Sequence, residues 1–238
     1  MPASRKRGAT APAPSQDASP GDAAAVAAPA VSPDDAAAVQ ALRASDPVLR
    51  AVIDEVGPLG DFFAGRPTDH YGTLIRAIVG QQLSTKAAGA IYGRLLERFG
   101  GRPPTPDEVL AADPDQLRAA VGLSHAKVRY LRSLAEHVLD GSLELDRLQD
   151  MSDEDVMAEL VAIKGIGEWS AHMFLMIHLH RPDVLPVGDL GIRRAVMIRY
   201  ALDKLPASRQ LLEIAGPWRP HRSLACFYLW RSLRTIPV

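Results

Sequence analysis

Cysteine is the scarcest residue that matters here: Cys226 stands alone in the chain. One thiol excludes an internal disulfide framework and any four-cysteine zinc or iron–sulfur centre. It fits a reducing compartment, so a cytoplasmic protein is expected. No apolar run approaches the roughly 18 residues of a membrane span. The N-terminal Arg5, Lys6 and Arg7 lack the apolar stretch of a secretory signal. An excess of one charge is missing too. Lys and Arg total 27 against 28 Asp and Glu, a net of −1, which excludes a broadly basic, histone-like binder. Residues 1–35 have almost no large apolar side chains and consist mostly of Ala, Pro, Ser, Gly and Asp. Such a stretch buries too little surface to offset the entropy of ordering it, so a disordered tail is expected over 1–35.

What remains is helical in pattern. Hydrophobic residues make up 47% of the 238, enough for one core, and a single folded unit over 36–238 is expected. Strand-like alternation is scarce. Asp46-Pro47, Thr105-Pro106 and Asp113-Pro114 each put a capping side chain before a proline, and Ser152 precedes Asp155 by three; all four read as helix starts. Helical period places Leu74, Ile75, Ile78 and Val79 on one face, as it does Ile91, Leu95 and Phe99. It does the same for Val128, Leu131, Ala135 and Val138, and for Val156, Met157, Leu160 and Val161. Gly57-Pro58, Gly100-Gly101 and Gly141 break the pattern. An all-α fold of about eight to ten short helices is expected.

The charges segregate along the chain. Residues 140–160 carry eight acidic residues and only Arg147 on the basic side, while 190–238 carries nine basic residues against Asp203 and Glu213. A neutral total can hide a basic face, although solvated surface charges explain the same counts.

Residues 160–171 read Leu-Val-Ala-Ile-Lys-Gly-Ile-Gly-Glu-Trp-Ser-Ala. A helix is expected to end near Ile163 and another to begin near Glu168, with Gly165 and Gly167 in the turn. The second helix then offers free N–H groups and a positive dipole end to an anion. A plain helical hairpin explains the glycines as well. Twenty residues after Trp169 comes Pro186-Val-Gly-Asp189-Leu-Gly-Ile-Arg193-Arg194, with Asp189 at a helix start. Taken alone, such an aspartate is an N-cap.

Together these segments resemble the helix-hairpin-helix base-excision DNA glycosylases, and within them the 3-methyladenine DNA glycosylase II, or AlkA, type. The stretches Ala77-Ile-Val-Gly-Gln-Gln-Leu-Ser84, Gly122-Leu-Ser-His-Ala-Lys-Val-Arg-Tyr-Leu131 and Trp218-Arg-Pro-His-Arg-Ser223, leading to Trp230, extend the resemblance over about 45–236. It implies a compact, two-lobed helical fold without the N-terminal α/β domain of that type. It implies Asp189 as the catalytic carboxylate and Trp169, Met173 and Trp230 as base-pocket residues. Core packing is the competing reading for both tryptophans. Trp169 stands where strand-cutting relatives carry a Schiff-base lysine, so a monofunctional enzyme is implied. Gln81, Gln82 and Leu83 match the loop that probes the duplex, with Gln82 in the place of the wedge leucine and Leu83 one step later. Gly165 and Gly167 face a phosphate in this picture. The carbonyls of Val161, Ile163 and Ile166 match those that hold a monovalent cation (Na or K). Arg193, Arg194 and Arg222 are candidates for backbone contacts.

No cofactor is implied for the chemistry itself. The implied partner is double-stranded DNA with damaged bases, and the implied reaction is hydrolysis of an N-glycosidic bond through an oxocarbenium-like state. Asp189 would stabilise that charge or activate water. His172, His178 and His180 are spaced so that no two neighbours share a helical face, which argues against a metal site. A monomer is expected, since no heptad pattern suggests assembly. Ala-, Arg- and Pro-rich usage fits a GC-rich bacterial genome, hence a nucleoid-associated protein. Two other readings stay open: a glycosylase for deaminated or oxidised bases, and a non-catalytic damage-binding module.

Overall fold

The computed structural model describes residues 33–59 and 69–234. Among these there are twelve α-helices and no strand. In order they are α1 (Pro33–Ser45), α2 (Pro47–Val56), α3 (His70–Gly80), α4 (Thr85–Arg98), α5 (Pro106–Ala111) and α6 (Pro114–Val121). Then follow α7 (His125–Leu139), α8 (Asp153–Ala162), α9 (Glu168–Ile177), α10 (Leu190–Arg199), α11 (Ser208–Ile214) and α12 (Arg222–Ser232). The count exceeds the eight to ten expected because α5 has 6 residues and α11 has 7, too few to show a helical period. α1 begins at Pro33, within the last three residues of the expected tail; 1–32 lies outside the described residues.

All four expected starts carry side-chain caps. Asp46 accepts from Val48 and Leu49 N–H, Thr105 forms a reciprocal capping box with Glu108, Asp113 accepts from Gln116, and Ser152 from Asp155. Each cap satisfies backbone donors that a helix start leaves without partners.

The helices pack as two lobes. α3, α4, α5, α6 and α7 pack on one another, whereas α1, α2, α10 and α12 form the second group. α9 packs on both α8 and α3 and so bridges the hairpin to the first lobe. The expected core faces of α3 and α7 are buried, from Leu74 to Val79 and from Val128 to Ala135. In α8 only Val156 and Leu160 are buried; Val161 is exposed, because the helix ends one residue later at the hairpin.

Candidate active site and nucleic-acid interface

α8 stops at Ala162, with Ile163 as its extended C-cap, and α9 starts at Glu168. Gly165 has φ +94°, and a Cβ there would lie 2.1 Å from Cγ of Tyr130. Only a glycine permits that backbone with an aromatic ring against its Cα. Gly167 is the N-cap of α9 and supplies no side-chain acceptor. The first N–H groups of α9 are therefore left to an external acceptor, and their geometry suits an anion. The C-terminal carbonyls of α8 carry the opposite partial charge. Ile163 O accepts from Ile166 N at 3.0 Å and keeps a second lone pair; it and the Val161 and Ile166 carbonyls are the groups that would hold the implied monovalent cation. Such an ion would offset phosphate charge and take no part in bond cleavage. Among the described residues no cluster of three or more His, Cys, Asp or Glu side chains forms a metal site.

Asp189 is the N-cap of α10 and is 7% exposed. Its Oδ1 accepts from Ile192 N at 2.7 Å and from Trp230 Nε1 at 2.9 Å. Its Oδ2 accepts from Trp169 Nε1 at 2.6 Å. The cap reading holds, and the carboxylate does more than cap: one oxygen orders the helix start, and the pair receives both indoles. Trp169 is 52% exposed despite that bond, while Trp230 is half-buried against Phe227. Gly191 admits this arrangement, since a Cβ there would sit 3.0 Å from Asp189 Oδ1 and 3.1 Å from the Trp230 ring. Met173, one turn beyond Trp169 on α9, is partly buried against the core. Leu190 stands exposed beside the carboxylate. Behind it, burial raises the Cys226 thiol far above its ordinary pKa, helped by the Asp189 charge, so this cysteine is an inert packing residue.

The turn between α3 and α4 presents Gln82 exposed at φ +56° with Leu83, also exposed, beside it. Gln81 instead turns inward, and its Nε2 donates to Gly165 O at 2.7 Å. Lys127 donates to Val79 O at 2.7 Å, near the end of α3. Lys127 and Tyr130 give the 122–131 motif a physical role that the sequence did not reveal. From one face of α7 they contact the last turn of α3 and the hairpin.

Most of the cations counted over 190–238 have partners within the fold. Arg222 is engaged with Asp183 through Nε at 2.7 Å and is mostly buried, so it is withdrawn as a candidate for backbone contacts. Arg219 shares Asp183, Arg199 pairs with Glu55, Arg209 pairs with Glu213, and Arg231 donates to Leu59 O. Arg193 donates to Pro206 O at 2.9 Å. Arg194 is exposed with no partner among the described residues. Apart from Glu213, four residues from Arg209, the partners of these cations are distant in sequence, so the charge count alone could not show them.

Of the histidines, His178 Nε2 lies 2.6 Å from His70 Nδ1, and its Nδ1 lies 3.0 Å from Thr73 Oγ1. This cluster ties α9 to α3 at the end of α9 away from Trp169. Burial, aided by His70, pushes His178 down to about 4.

An all-helical fold, a glycine hairpin and an aspartate held between two indoles define a helix-hairpin-helix protein built around a carboxylate. The chain belongs to the HhH-GPD superfamily of base excision DNA repair proteins, whose family model matches residues 75–220. DNA-3-methyladenine glycosylase 1 of Schizosaccharomyces pombe is 37% identical over 164 residues, which is 68% of this chain and 72% of that protein. The structure of a 3-methyladenine DNA glycosylase from the same yeast in complex with abasic DNA superposes with a TM-score of 0.75. It is 32% identical, over 83% of this chain and 97% of that one. A DNA-3-methyladenine glycosidase of Bacillus halodurans gives a TM-score of 0.70 at 35% identity, over 82% and 88% of the two chains.

Proposed function

We propose that this protein is a monofunctional DNA glycosylase that removes alkylated bases, 3-methyladenine and related cationic purines, from duplex DNA. The observation that carries the reading is the Asp189 carboxylate held between Trp169 and Trp230 at the start of α10. The similar yeast and Bacillus proteins bear names of the same activity.

A base inside a duplex is out of reach, so the nucleotide must leave the stack. An aromatic wall favours a cationic base over a neutral one by about 0.5–2 kcal/mol. Alkylation at a ring nitrogen also makes the base a better leaving group. The N-glycosidic bond breaks, its electron pair goes to the base nitrogen and cancels the positive charge, and C1′ becomes electron-poor. Asp189 faces that charge as a fixed anion, because three donors orient its two oxygens. A carboxylate held in this way acts chiefly by electrostatic stabilisation. Water then adds at C1′ and gives up a proton, leaving an abasic site. Trp169 carries no amine, so no Schiff base forms at this place and the strand stays intact.

The α9 N-terminus takes a backbone phosphate, and the hairpin carbonyls of Val161, Ile163 and Ile166 take a monovalent cation beside it. Arg194 adds a further backbone contact, which sets position rather than sequence. Gln82 and Leu83 enter the space left by the flipped nucleotide. The protein works as a monomer.

The test is base release from methylated duplex DNA by the wild type and by Asp189→Asn, with strand nicking scored separately. Release by the wild type alone, without nicking before alkali, is expected. No release by folded wild type overturns the reading, and preferential release of neutral oxidised guanine moves it to another lesion class.

A further inference from the structure

Gln81 makes a contact that neither duplex probing nor the hairpin accounts for. It sits where the turn leaves α3, next to the exposed Gln82 and Leu83. Its side chain nevertheless runs away from that tip, and its amide donates to Gly165 O at 2.7 Å, a bond spanning 84 positions of sequence. Its acceptor has little freedom. Gly165 is packed against the Tyr130 ring so closely that a Cβ would lie 2.1 Å from its Cγ, which leaves no room for any side chain. The other end is held as well, because Lys127 of the same helix grips Val79 O. The apolar-tipped turn and the anion-suited hairpin are therefore joined by one direct hydrogen bond, and α7 holds both sides of it, Lys127 the end of α3 and Tyr130 the hairpin.

An apolar tip entering a base stack works against the energy of unstacking, a few kcal/mol per step. That push is effective only if the tip is anchored to whatever holds the backbone. We propose that Gln81 is a positioning residue that locks the 80–84 turn to the 163–168 hairpin, so that grip on a phosphate and entry into the duplex occur as one rigid event. The inference rests on the base-excision reading for its purpose, but its geometry is independent of which base is removed. Gln81 needs to touch neither the lesion nor the sugar.

The test uses the full chain with Gln81→Met, which keeps length and loses the donor, and Gln81→Glu, which places an acceptor against Gly165 O. The probe is a duplex with 2-aminopurine beside an abasic-site analogue, whose fluorescence rises when stacking is disrupted. Both variants are expected to bind undamaged duplex within about twofold of wild type, while the fluorescence change at saturation and the maximal single-turnover release of 3-methyladenine each fall by about tenfold, the scale of one hydrogen bond. A general loss of stability would lower the melting temperature without separating these readouts. Fluorescence and release equal to wild type in both variants overturn the proposal.

Should neither variant fold, hydrogen exchange on the wild type decides. Joint protection of 80–84 and 163–168 on adding the abasic duplex supports the lock, and protection of the hairpin alone overturns it. A wild type that shows joint protection but releases no base refutes the excision reading and leaves the lock standing.

Discussion

Two aspartates of this chain are built alike and differ in what surrounds them. Asp46 and Asp189 are both N-caps, both nearly buried, and both accept an indole N–H. Asp46 receives Trp218 at 2.9 Å and the Tyr200 hydroxyl at 2.5 Å, and Trp218 is wholly buried. Burial and the Asp46 carboxylate push the Tyr200 phenol well above its ordinary range, so it stays a donor. Asp189 receives two indoles, and one of them is half exposed. The same ligation thus gives a sealed strut in one place and, in the other, the carboxylate proposed to face the reacting sugar. Exposure of the indole partner makes the difference, Trp169 being open where Trp218 is sealed.

The sharpest way to break the comparison is to neutralise each carboxylate. Asp189→Asn should slow base release by on the order of 10²–10⁴-fold, the range for a positioned carboxylate, while a circular-dichroism melt falls little, because the half-exposed Trp169 can turn its N–H to water. Asp46→Asn should do the reverse. It puts an amide N–H against the Trp218 N–H, a buried clash of donors worth about 1–3 kcal/mol in a denaturant titration, with the release rate of the folded fraction unchanged. Equal loss of activity from both would erase the distinction.

Trp169→Phe sharpens it further, since it keeps the ring and removes one donor to Asp189. Single-turnover release should fall by about tenfold or somewhat more, as expected for a hydrogen bond to a charged group. A fall in affinity alone would make Trp169 a stacking residue only. The smallest effect concerns pH, and these variants should be compared at one pH for that reason. His178 is held near about 4 in the fold, below its unfolded value of about 6.5. The unfolded chain binds the extra proton between those values, so stability falls as pH drops from about 6.5 toward 4. His178→Phe should flatten that part of a melting-temperature profile.

Much of this architecture was legible in the sequence, because the informative signals were local. Caps at Asp46, Thr105, Asp113 and Ser152 and the apolar faces of α3 and α7 depend on spacings of three or four residues. The hairpin and its resemblance placed Asp189, Trp169 and Trp230, and the structure brings these three within hydrogen-bond reach. What stayed hidden was long-range pairing. Arg222 looked like a free cation until Asp183 met it, 39 positions away. Asp46 showed only its cap, since Tyr200 and Trp218 come from the other end of the chain. Gln81 looked like part of the probing tip because no local pattern says that its amide reaches Gly165.

The bonding of the indoles also makes the protein its own optical reporter. All three tryptophans of the chain donate to an aspartate, Trp218 to Asp46 and Trp169 and Trp230 to Asp189. They form a graded series in exposure, from the sealed Trp218 through Trp230 to the open Trp169. A collisional quencher in solution will therefore extinguish the emission of Trp169 first and that of Trp218 last. Occupancy of the site can be followed by the shielding of that first component, without attaching any label.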